Sequence, residues 1–307
     1  MADVLANAVD GDRRNRSVGG RWARAASLWV AWGMLAAACT PDHREQTYRE
    51  SGSGRSYRVV VSPAHSLRTP SAALFLLHGY GTEPDTMVRS YGLIRRAVHE
   101  RGWLLVLPRG EPDAHGRIAW NASAACCGDG DARRSRDDVA YLRGVLADLR
   151  THFALDARRV YALGVSNGSF MAQRWACTPE SGLRAVVSIS GAAPGPDDPP
   201  CAAVEPPSLL HLHGSDDDII RYAGSSAGEA RYPGARETAA LWRGLAHAGA
   251  RTHDHWRTSL WPFQRVHEER WDGELSRVAL WTYHGGGHKL RTLRWEMDAL
   301  LSFLDGS

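Results

Sequence analysis

The sequence predicts an α/β protein whose central sheet is mostly parallel and covered by helices on both faces. Short continuous apolar runs recur along the chain, as expected of strands that are buried on both faces. Amphipathic patterns with helical spacing separate these runs, so that strands and helices alternate. The composition over 307 residues, 43% hydrophobic and 23% charged, is that of a globular protein with a sizeable core.

The predicted elements run from Ser56 to the end of the chain. Strands are predicted at 56–61, 73–78, 103–108, 159–165, 185–190, 208–213 and 277–284. Helices are predicted at 87–102, 137–153, from about Asn167, at 237–250 and at 290–304. Because no repeat or internal linker interrupts this alternation, we expect one domain over 56–307 without a large cap domain.

The first 38 residues have the pattern of a signal peptide. Arginines within residues 1–24 precede the apolar run Ala25–Cys39, which is too short to span a bilayer comfortably. Cys39 follows three alanines and resembles the lipidated cysteine of a bacterial lipoprotein leader. Either lipidation of Cys39, with attachment to a membrane, or simple cleavage and release is expected. Residues 39–55 are predicted to form a flexible segment.

The leader also carries most of the excess positive charge. It holds five arginines against three aspartates, while the formal net charge of the whole chain is +3. The remainder is therefore almost neutral and contains no basic run, which excludes a nucleic-acid partner. The only lysine is Lys289, and the glycine-rich phosphate loop that ends in lysine is absent from the sequence.

Four cysteines remain once Cys39 is set aside: Cys126, Cys127, Cys177 and Cys201. An even number in an exported chain indicates disulfides. Adjacent cysteines rarely bond each other, so we expect Cys126 and Cys127 each to pair with Cys177 or Cys201, in either arrangement. A zinc site is the alternative, but the spacing of cysteine and histidine does not favour it.

A nucleophilic serine is predicted where the strand at 159–165 meets a helix. Ser166 lies at the centre of Gly164–Gly168, with the sequence GVSNG, and Gly-x-Ser-x-Gly between strand and helix is typical of a nucleophile elbow. The turn is so sharp that side chains in place of Gly164 or Gly168 would clash. Residues 224–228 match the same pattern around Ser226, but no strand precedes them, so we assign Ser226 to a loop.

A general base and an acid are predicted at the ends of two other strands. The strand at 277–284 leads into a glycine run that ends at His288, which we predict to be the general base, while His284 is structural. The strand at 208–213 leads into Asp216–Asp218, and one of these carboxylates would orient the imidazole. The order serine, aspartate, histidine along the chain is that of α/β-hydrolases.

An oxyanion hole is predicted from two backbone N–H groups. The sequence HGYG at His78–Gly81 follows a buried strand, and its tight turn would aim the N–H of Tyr80 into the site. The N–H of Asn167, directly after the nucleophile, would be the second donor. Taken alone, a His-Gly pair after a strand is more often only a turn.

Together these blocks resemble the α/β-hydrolase esterases that include secreted polyhydroxybutyrate depolymerases and feruloyl or acetylxylan esterases. The resemblance runs from Ala73 to His288 through LFLLHGYG, CCGDGDARRSRDDVAYLR, RRVYALGVSNGSFMAQRWAC, LLHLHGSDDDIIRYAG and GGGH. Matched to the family pattern His-Gly-Thr-x-Asp-x-x-Val-Pro-Tyr, it implies that Asp217 is the acid, beside Ser166 as nucleophile and His288 as base. It also implies an α/β-hydrolase catalytic domain over 56–307 and supports disulfides among the four cysteines.

The resemblance implies a serine esterase that works through an acyl-enzyme without a metal or organic cofactor. The leader predicts that this esterase is exported, and a monomer is expected. Polyesters or the feruloyl and acetyl esters of plant polysaccharides are the implied substrates. The chain departs from the family at Ser169, where a second glycine is usual, and at Lys289 and Leu290, where an aromatic residue and proline are usual. These positions adjoin the predicted substrate pocket, so the substrate is left open.

The sequence leaves two alternatives to an esterase. One is a peptidase on the same fold, and the other is a catalytically silent surface protein that holds polysaccharide through its tryptophans. Packing is the more common role of such tryptophans, which here are Trp120, Trp256, Trp261, Trp271 and Trp281. An intact set of Ser166, Asp217 and His288 disfavours a purely binding protein.

Overall fold

The computed structural model describes residues 42–66, 68–127, 136–226, 230–259, 263–290 and 293–306. The predicted leader, Cys39 and Trp261 lie outside these ranges. Each helix within them is too short or too polar to cross a membrane.

The strands form one large sheet and two short ribbons. In chain order the strands are β1 (Arg44–Arg49), β2 (Ser56–Val61), β3 (Ser71–Leu77), β4 (Leu104–Pro108), β5 (Glu111–Pro112), β6 (Ile118–Ala119), β7 (Leu155–Val165), β8 (Ala185–Ile189), β9 (Ser208–Gly214), β10 (Gly224–Ser225), β11 (Tyr232–Pro233), β12 (His253–Thr258), β13 (Arg265–Asp272) and β14 (Arg277–Tyr283). The ten-stranded sheet has the order β1-β2-β4-β3-β7-β8-β9-β14-β13-β12, while β5 pairs with β6 and β10 with β11.

The centre of the large sheet is parallel and its edges are antiparallel. Strands β4, β3, β7, β8, β9 and β14 all run in one direction. Antiparallel strands are added at both sides, β2 and β1 beyond β4, and β13 and β12 beyond β14. The mostly parallel sheet predicted from the continuous apolar runs is therefore confirmed.

Helices cover both faces of this sheet. They are α1 (Pro84–Tyr91), the short π-helix α2 (Ile94–His99), α3 (Asp138–His152), α4 (Asn167–Ala176), α5 (Ala235–Leu245) and α6 (Leu293–Asp305). Side chains of α3, α4 and α5 belong to one core cluster, and those of α1, α2 and α6 belong to the other. Two hydrophobic layers therefore enclose the sheet, as the α/β prediction requires.

Strand β3 illustrates why continuous apolar runs are found at the centre. Ala73, Phe75 and Leu77 point into the core beside α4, whereas Leu74 and Leu76 point into the opposite core. All five side chains are fully buried, and each buried leucine or phenylalanine contributes about 1.5–3 kcal/mol to stability. A polar residue on either face of this strand would have no access to water.

The single helix predicted over 87–102 is wrong. Helix α1 ends at Tyr91 because Gly92 adopts a left-handed conformation, with φ of 61°, and caps it through its N–H to the carbonyl of Arg89. A second helical segment, α2, then begins at Ile94. Both segments are amphipathic, so their apolar spacing alone did not indicate the break.

The flexible segment predicted over 39–55 is wrong for residues 44–49. These residues form β1, which pairs along its whole length with β2, and Tyr48 stacks on Tyr57 with 5.5 Å between ring centroids. Glu50 is buried and accepts hydrogen bonds from the backbone N–H groups of Gly52 (2.7 Å) and Ser53 (2.6 Å), which orders the connecting turn. A polar edge strand lacks the alternation that identifies strands in a sequence.

The predicted disulfide pairing is also wrong. The bonds join Cys126 to Cys127 and Cys177 to Cys201. Cys126 lies beside the first residue of α4, with its Sγ 3.7 Å from Asn167 Nδ2, whereas Cys177 caps the other end of that helix. A helix of ten residues is about 15 Å long, which is beyond the reach of a disulfide. The length of α4 therefore excludes both predicted pairings that involve Cys177.

Candidate active site

The turn between β7 and α4 places Ser166 at the carboxyl edge of the sheet. Ser166 has φ of 55° and ψ of −120°, a backbone conformation that few residues other than glycine adopt. Space for the turn depends on the flanking glycines. A Cβ on Gly164 would lie 2.1 Å from the carbonyl oxygen of Gly168, and one on Gly168 would lie 2.0 Å from that of Leu77. This is the geometry expected of a nucleophile elbow.

Ser166, His288 and Asp217 form a continuous line of hydrogen bonds, although they are far apart in the sequence. Ser166 Oγ lies 3.0 Å from His288 Nε2, and His288 Nδ1 lies 2.8 Å from Asp217 Oδ2. The imidazole is 14% exposed and the carboxylate is fully buried. The line therefore leads from a partly exposed hydroxyl to a buried negative charge, which is the order that nucleophilic activation of serine needs.

Burial distinguishes Asp217 from its two neighbours, because Asp216 and Asp218 are exposed. Its second oxygen, Oδ1, accepts hydrogen bonds from the backbone N–H groups of Ile219 (3.0 Å) and Ile220 (2.8 Å). Burial alone would raise the pKa of Asp217, but hydrogen bonds from His213 and His288 outweigh it and lower the pKa well below the usual range. Asp217 is therefore ionised at neutral pH.

The loops that carry the predicted acid and the predicted base are hydrogen-bonded to each other. The N–H of Asp216 donates to the carbonyl of Gly286 (2.9 Å), and the N–H of Gly285 donates to Ser215 Oγ (2.8 Å). A Cβ on Gly214 would lie 2.1 Å from the carbonyl oxygen of Gly286, so the loops approach closely only because Gly214 has no side chain. These contacts fix the distance between Asp217 and the base loop.

The two predicted oxyanion donors lie on anchored turns. Tyr80 is held by its hydroxyl, which donates to Asp113 (2.6 Å), and Asn167 by its side-chain oxygen, which accepts from the N–H of Trp120 (2.7 Å). Within the described part of the chain, neither the backbone N–H of Tyr80 nor that of Asn167 donates a hydrogen bond. Both donors are therefore available to a substrate oxygen.

His78, the first residue of the same turn, is structural. Its ring is buried, with Nδ1 donating to the carbonyl of Gly79 and Nε2 accepting from the N–H of Gly110, each at 2.9 Å. Burial lowers the pKa of His78 to about 4, so the ring is neutral at physiological pH. It braces the turn that carries Tyr80 and has no free nitrogen for acid–base chemistry.

The tryptophans have separate environments. Trp120 and Trp271 are buried, and the indole of Trp120 donates to the carbonyl of His78 beneath the site. Trp256 is 43% exposed and stacks on His267, with 4.4 Å between ring centroids.

Sequence reasoning did not single out His213, whose Nε2 lies 3.3 Å from Asp217 Oδ2. Its place two residues after His211 on a buried strand was the available signal.

Comparison with known proteins by sequence finds esterases. The chain is 30% identical over 188 residues to NocK of Nocardia uniformis, whose name assigns it as an esterase. It is 25% identical over 177 residues to feruloyl esterase C of Aspergillus niger, and the two matches cover 60% and 56% of this chain. They cover 51% and 58% of those relatives, so the chain spans about half their length. No family model matches the chain.

Comparison with solved structures identifies the fold. The acetyl xylan esterase of Aspergillus awamori superposes with a TM-score of 0.57 at 14% identity, over 86% of this chain and all of that one. The S-formylglutathione hydrolase of Agrobacterium tumefaciens gives 0.55 at 16% identity, over 86% and 94% of the two chains. The chain thus has the α/β-hydrolase fold, and the predicted resemblance to the esterases built on that fold is confirmed.

Proposed function

We propose that this chain is a serine esterase that hydrolyses carboxylic esters through an acyl-enzyme. The observation that carries the proposal is the hydrogen-bonded line Ser166, His288, Asp217, with Ser166 in the strained conformation of a nucleophile elbow. The esterase names of the sequence relatives support the reaction class.

In the first half of the reaction, His288 Nε2 takes the proton of the Ser166 hydroxyl as its oxygen attacks the ester carbonyl. The negative charge that develops on the carbonyl oxygen is met by the N–H groups of Tyr80 and Asn167, each contributing about 2.7–4 kcal/mol to catalysis. Asp217 stabilises the imidazolium that forms. The proton then passes from His288 to the departing alcohol, which leaves the acyl group on Ser166.

In the second half, water takes the place of the alcohol. His288 Nε2 removes a proton from the water, the resulting hydroxide attacks the acyl carbonyl, and the Ser166 oxygen leaves with the proton that the imidazole returns. The same two N–H groups hold the second oxyanion. The carbonyl of His288 accepts from Ser190 Oγ at 3.1 Å, which keeps the base in place during both halves.

Polyesters or the feruloyl and acetyl esters of plant polysaccharides are the proposed substrates, and the proposed location is outside the cytoplasm. Names of relatives support the substrate class, since they include a feruloyl esterase and an acetylxylan esterase/xylanase of Neocallimastix patriciarum that is 24% identical over 57% of this chain and 23% of its own length. Two disulfides support the location, because such bonds persist in oxidising compartments.

The proposal is tested with Ser166→Ala and a matched control, Ser226→Ala. Both serines lie in a Gly-x-Ser-x-Gly sequence, but Ser226 is exposed and follows the two-residue strand β10. With p-nitrophenyl acetate we expect Ser166→Ala to lower kcat/KM by a factor of about 10⁴ or more and Ser226→Ala to leave it unchanged. A fluorophosphonate probe should label the parent on the peptide that contains Ser166.

Absence of both turnover and labelling at Ser166 would contradict the esterase and favour a silent binding protein. A panel of acetyl, feruloyl, hydroxybutyrate and peptide substrates then separates the alternatives. Preference for esters by a large factor in kcat/KM is the expected result, and efficient cleavage of peptide amides would point to a peptidase instead.

A further inference from the structure

A row of buried polar side chains lies behind Asp217, and the mechanism above does not use it. Its members are no more than 1% exposed and come from β9, β8, α4 and α5. They are His213, His211, Ser188, Gln173 and Trp242. Burial of so many polar groups is costly unless each of them is hydrogen-bonded.

The half of this row nearest to the acid is continuous. His213 Nε2 lies 3.3 Å from Asp217 Oδ2, and His213 Nδ1 lies 3.2 Å from His211 Nε2. His211 Nδ1 in turn lies 3.1 Å from Ser188 Oγ. Two imidazoles and a hydroxyl therefore connect the surroundings of Asp217 to Ser188 on the neighbouring strand β8.

The far half is bonded equally well. Ser188 Oγ accepts from Gln173 Nε2 at 2.8 Å, and Gln173 Oε1 accepts from Trp242 Nε1 at 2.8 Å. Ser169 Oγ adds a further contact to Ser188 Oγ at 2.6 Å. Ser169 is one of the positions at which the sequence departs from the esterase pattern, so its hydroxyl joins the row here.

The two ends of the row impose the same direction on its hydrogen bonds. At one end, the indole of Trp242 can only donate, so the amide of Gln173 turns its NH₂ group to Ser188. At the other end, the carbonyl of Ile220 lies 2.7 Å from His213 Nε2 and can only accept, so Nε2 carries a hydrogen.

The middle of the row follows from its ends. If His213 accepts at Nδ1, His211 donates from Nε2 and accepts at Nδ1 from the hydroxyl of Ser188. Burial and the neighbouring His213 hold the pKa of His211 well below its usual range, which keeps that ring neutral. Every hydrogen in the row then points toward the Asp217 end, where the Nε2 hydrogen of His213 donates to the carbonyl of Ile220 (2.7 Å) and lies next to Asp217 Oδ2, which is 3.3 Å from Nε2.

We propose that these five side chains form a directional donor relay that holds Asp217 Oδ2 in line with His288 Nδ1, with His213 as the positioning residue. The inference rests on the proposed esterase function of Ser166. Oδ1 is held by two backbone N–H groups, and the relay fixes the ring of His213 beside Oδ2, the oxygen that contacts His288 Nδ1. A fixed Oδ2 keeps the hydrogen of His288 on Nδ1, which leaves Nε2 open to the proton of Ser166.

The relay is tested first by its effect on catalysis, with Ser188→Ala. This change removes the hydroxyl that sets the tautomer of His211. Within the row, His211 and His213 lie between this hydroxyl and Asp217. We expect kcat for p-nitrophenyl acetate to fall about tenfold, with KM within about twofold of the parent value, because the relay lies behind the acid. Ser188→Thr keeps the hydroxyl and should restore most of the activity.

The matched control is Ser208→Ala, which removes a buried serine hydroxyl at the opposite end of β9, where it accepts from the N–H of Arg277 at 3.1 Å. Its kcat should equal that of the parent.

A pH profile of kcat for Ser188→Ala separates the relay from a packing defect. Loss of donors that point toward the Asp217 carboxylate strengthens its attraction for the imidazolium, so the acid limb of the Ser188→Ala profile should move to higher pH.

The second measurement does not depend on activity. Nitrogen-15 spectra of histidine-labelled protein report the tautomer of each ring, and we expect neutral Nε2–H forms for His211 and His213 in the parent. An imidazolium or an Nδ1–H form at either ring near neutral pH would overturn the relay. So would a Ser188→Ala kcat equal to that of Ser208→Ala. Absence of ester hydrolysis in the parent would instead overturn the proposed function, and the spectra would still decide the relay.

Discussion

At the scale of single residues, the site depends on which of several similar side chains the fold buries. The sequence offers three consecutive aspartates, two histidines around the glycine run and two serines in the same pattern. Asp217 is buried while Asp218 is exposed, and His288 contacts Ser166 while His284 packs against Trp256. Sequence alone could not choose among the aspartates, because the choice depends on how the loop after β9 turns.

Exchange of the acid for its amide tests this choice. We expect Asp217→Asn to lower kcat by about 10⁴-fold, because an amide NH₂ facing His288 Nδ1 would favour the wrong tautomer of the imidazole. Asp218→Asn is the matched control, since it makes the same change on the exposed neighbour. Steady-state kinetics on an activated ester measure both variants. Equal losses in the two variants would contradict the assignment of the acid.

The buried imidazole of His78 makes stability depend on pH. Burial lowers its pKa to about 4, against about 6.5 in an unfolded chain. Between these values the unfolded chain binds a proton that the folded chain does not, so the free energy of unfolding falls as the pH drops from about 6.5 to about 4. By pH 5 the loss from this one residue is about 2 kcal/mol.

Urea denaturation near pH 7.5 and near pH 5 measures this loss. His78→Asn keeps an N–H donor but cannot titrate, so its stability should fall by about 2 kcal/mol less than that of the parent between the two conditions. The lowered pKa of Asp217 acts in a separate window, since its contribution is present above the unfolded value and is lost only at more acidic pH. An equal loss of unfolding free energy in the parent and in His78→Asn would contradict a neutral, buried His78 in the folded protein.

At the scale of elements, the central strands and the order of helices could be predicted, and the edges could not. β2 extends over Ser56–Val61 as predicted, because its apolar run is buried. β1 and β12 are edge strands with exposed, polar sequences, REQTYR and HDHWRT, which carry no periodic signal. The bond between Cys126 and Cys127 could not be predicted from the spacing of the cysteines. The length of α4 determines which cysteines can meet, and that length is not visible in the cysteine pattern.

The close packing of the nucleophile elbow, where α4 begins next to β3, can be tested by a substitution at Gly168. A Cβ at Gly168 would lie 2.0 Å from the carbonyl oxygen of Leu77, so Gly168→Ala must push the start of α4 away from the sheet. We expect this variant to unfold at lower temperature by at least several degrees, as for an overpacked core that loses about 1–3 kcal/mol.

Gly244→Ala is the control for this change. Gly244 lies within α5, and nothing stands within 4 Å of a Cβ built on it, so alanine should raise stability by up to about 1 kcal/mol through its better helix propensity. Thermal unfolding followed by circular dichroism compares the two variants. A Gly168→Ala variant as stable as the parent would contradict the close packing of the elbow.

At the scale of the whole molecule, the leader and the disulfides predict the same compartment independently. Residues 1–38 have the pattern of an export signal, and the cysteines at 126, 127, 177 and 201 are bonded in two pairs. Both features are expected of a protein that folds outside the cytoplasm. The loop closed by Cys177 and Cys201 contributes about 3.5 kcal/mol in the chain-entropy account, so the folded domain should be less stable where thiols stay reduced.

Expression in a bacterial host with and without residues 1–38 tests this prediction. We expect the full chain to be recovered outside the cytoplasm, with a new N-terminus at Cys39 and four cysteines that resist alkylation before reduction. The chain without its leader should stay in the cytoplasm with alkylatable thiols and a lower melting temperature, because it lacks the stabilising bond. Mass spectrometry of the N-terminal peptide measures the cleavage site and any lipid on Cys39. An intact N-terminus on folded protein in the cytoplasm would show that the segment is not a signal peptide.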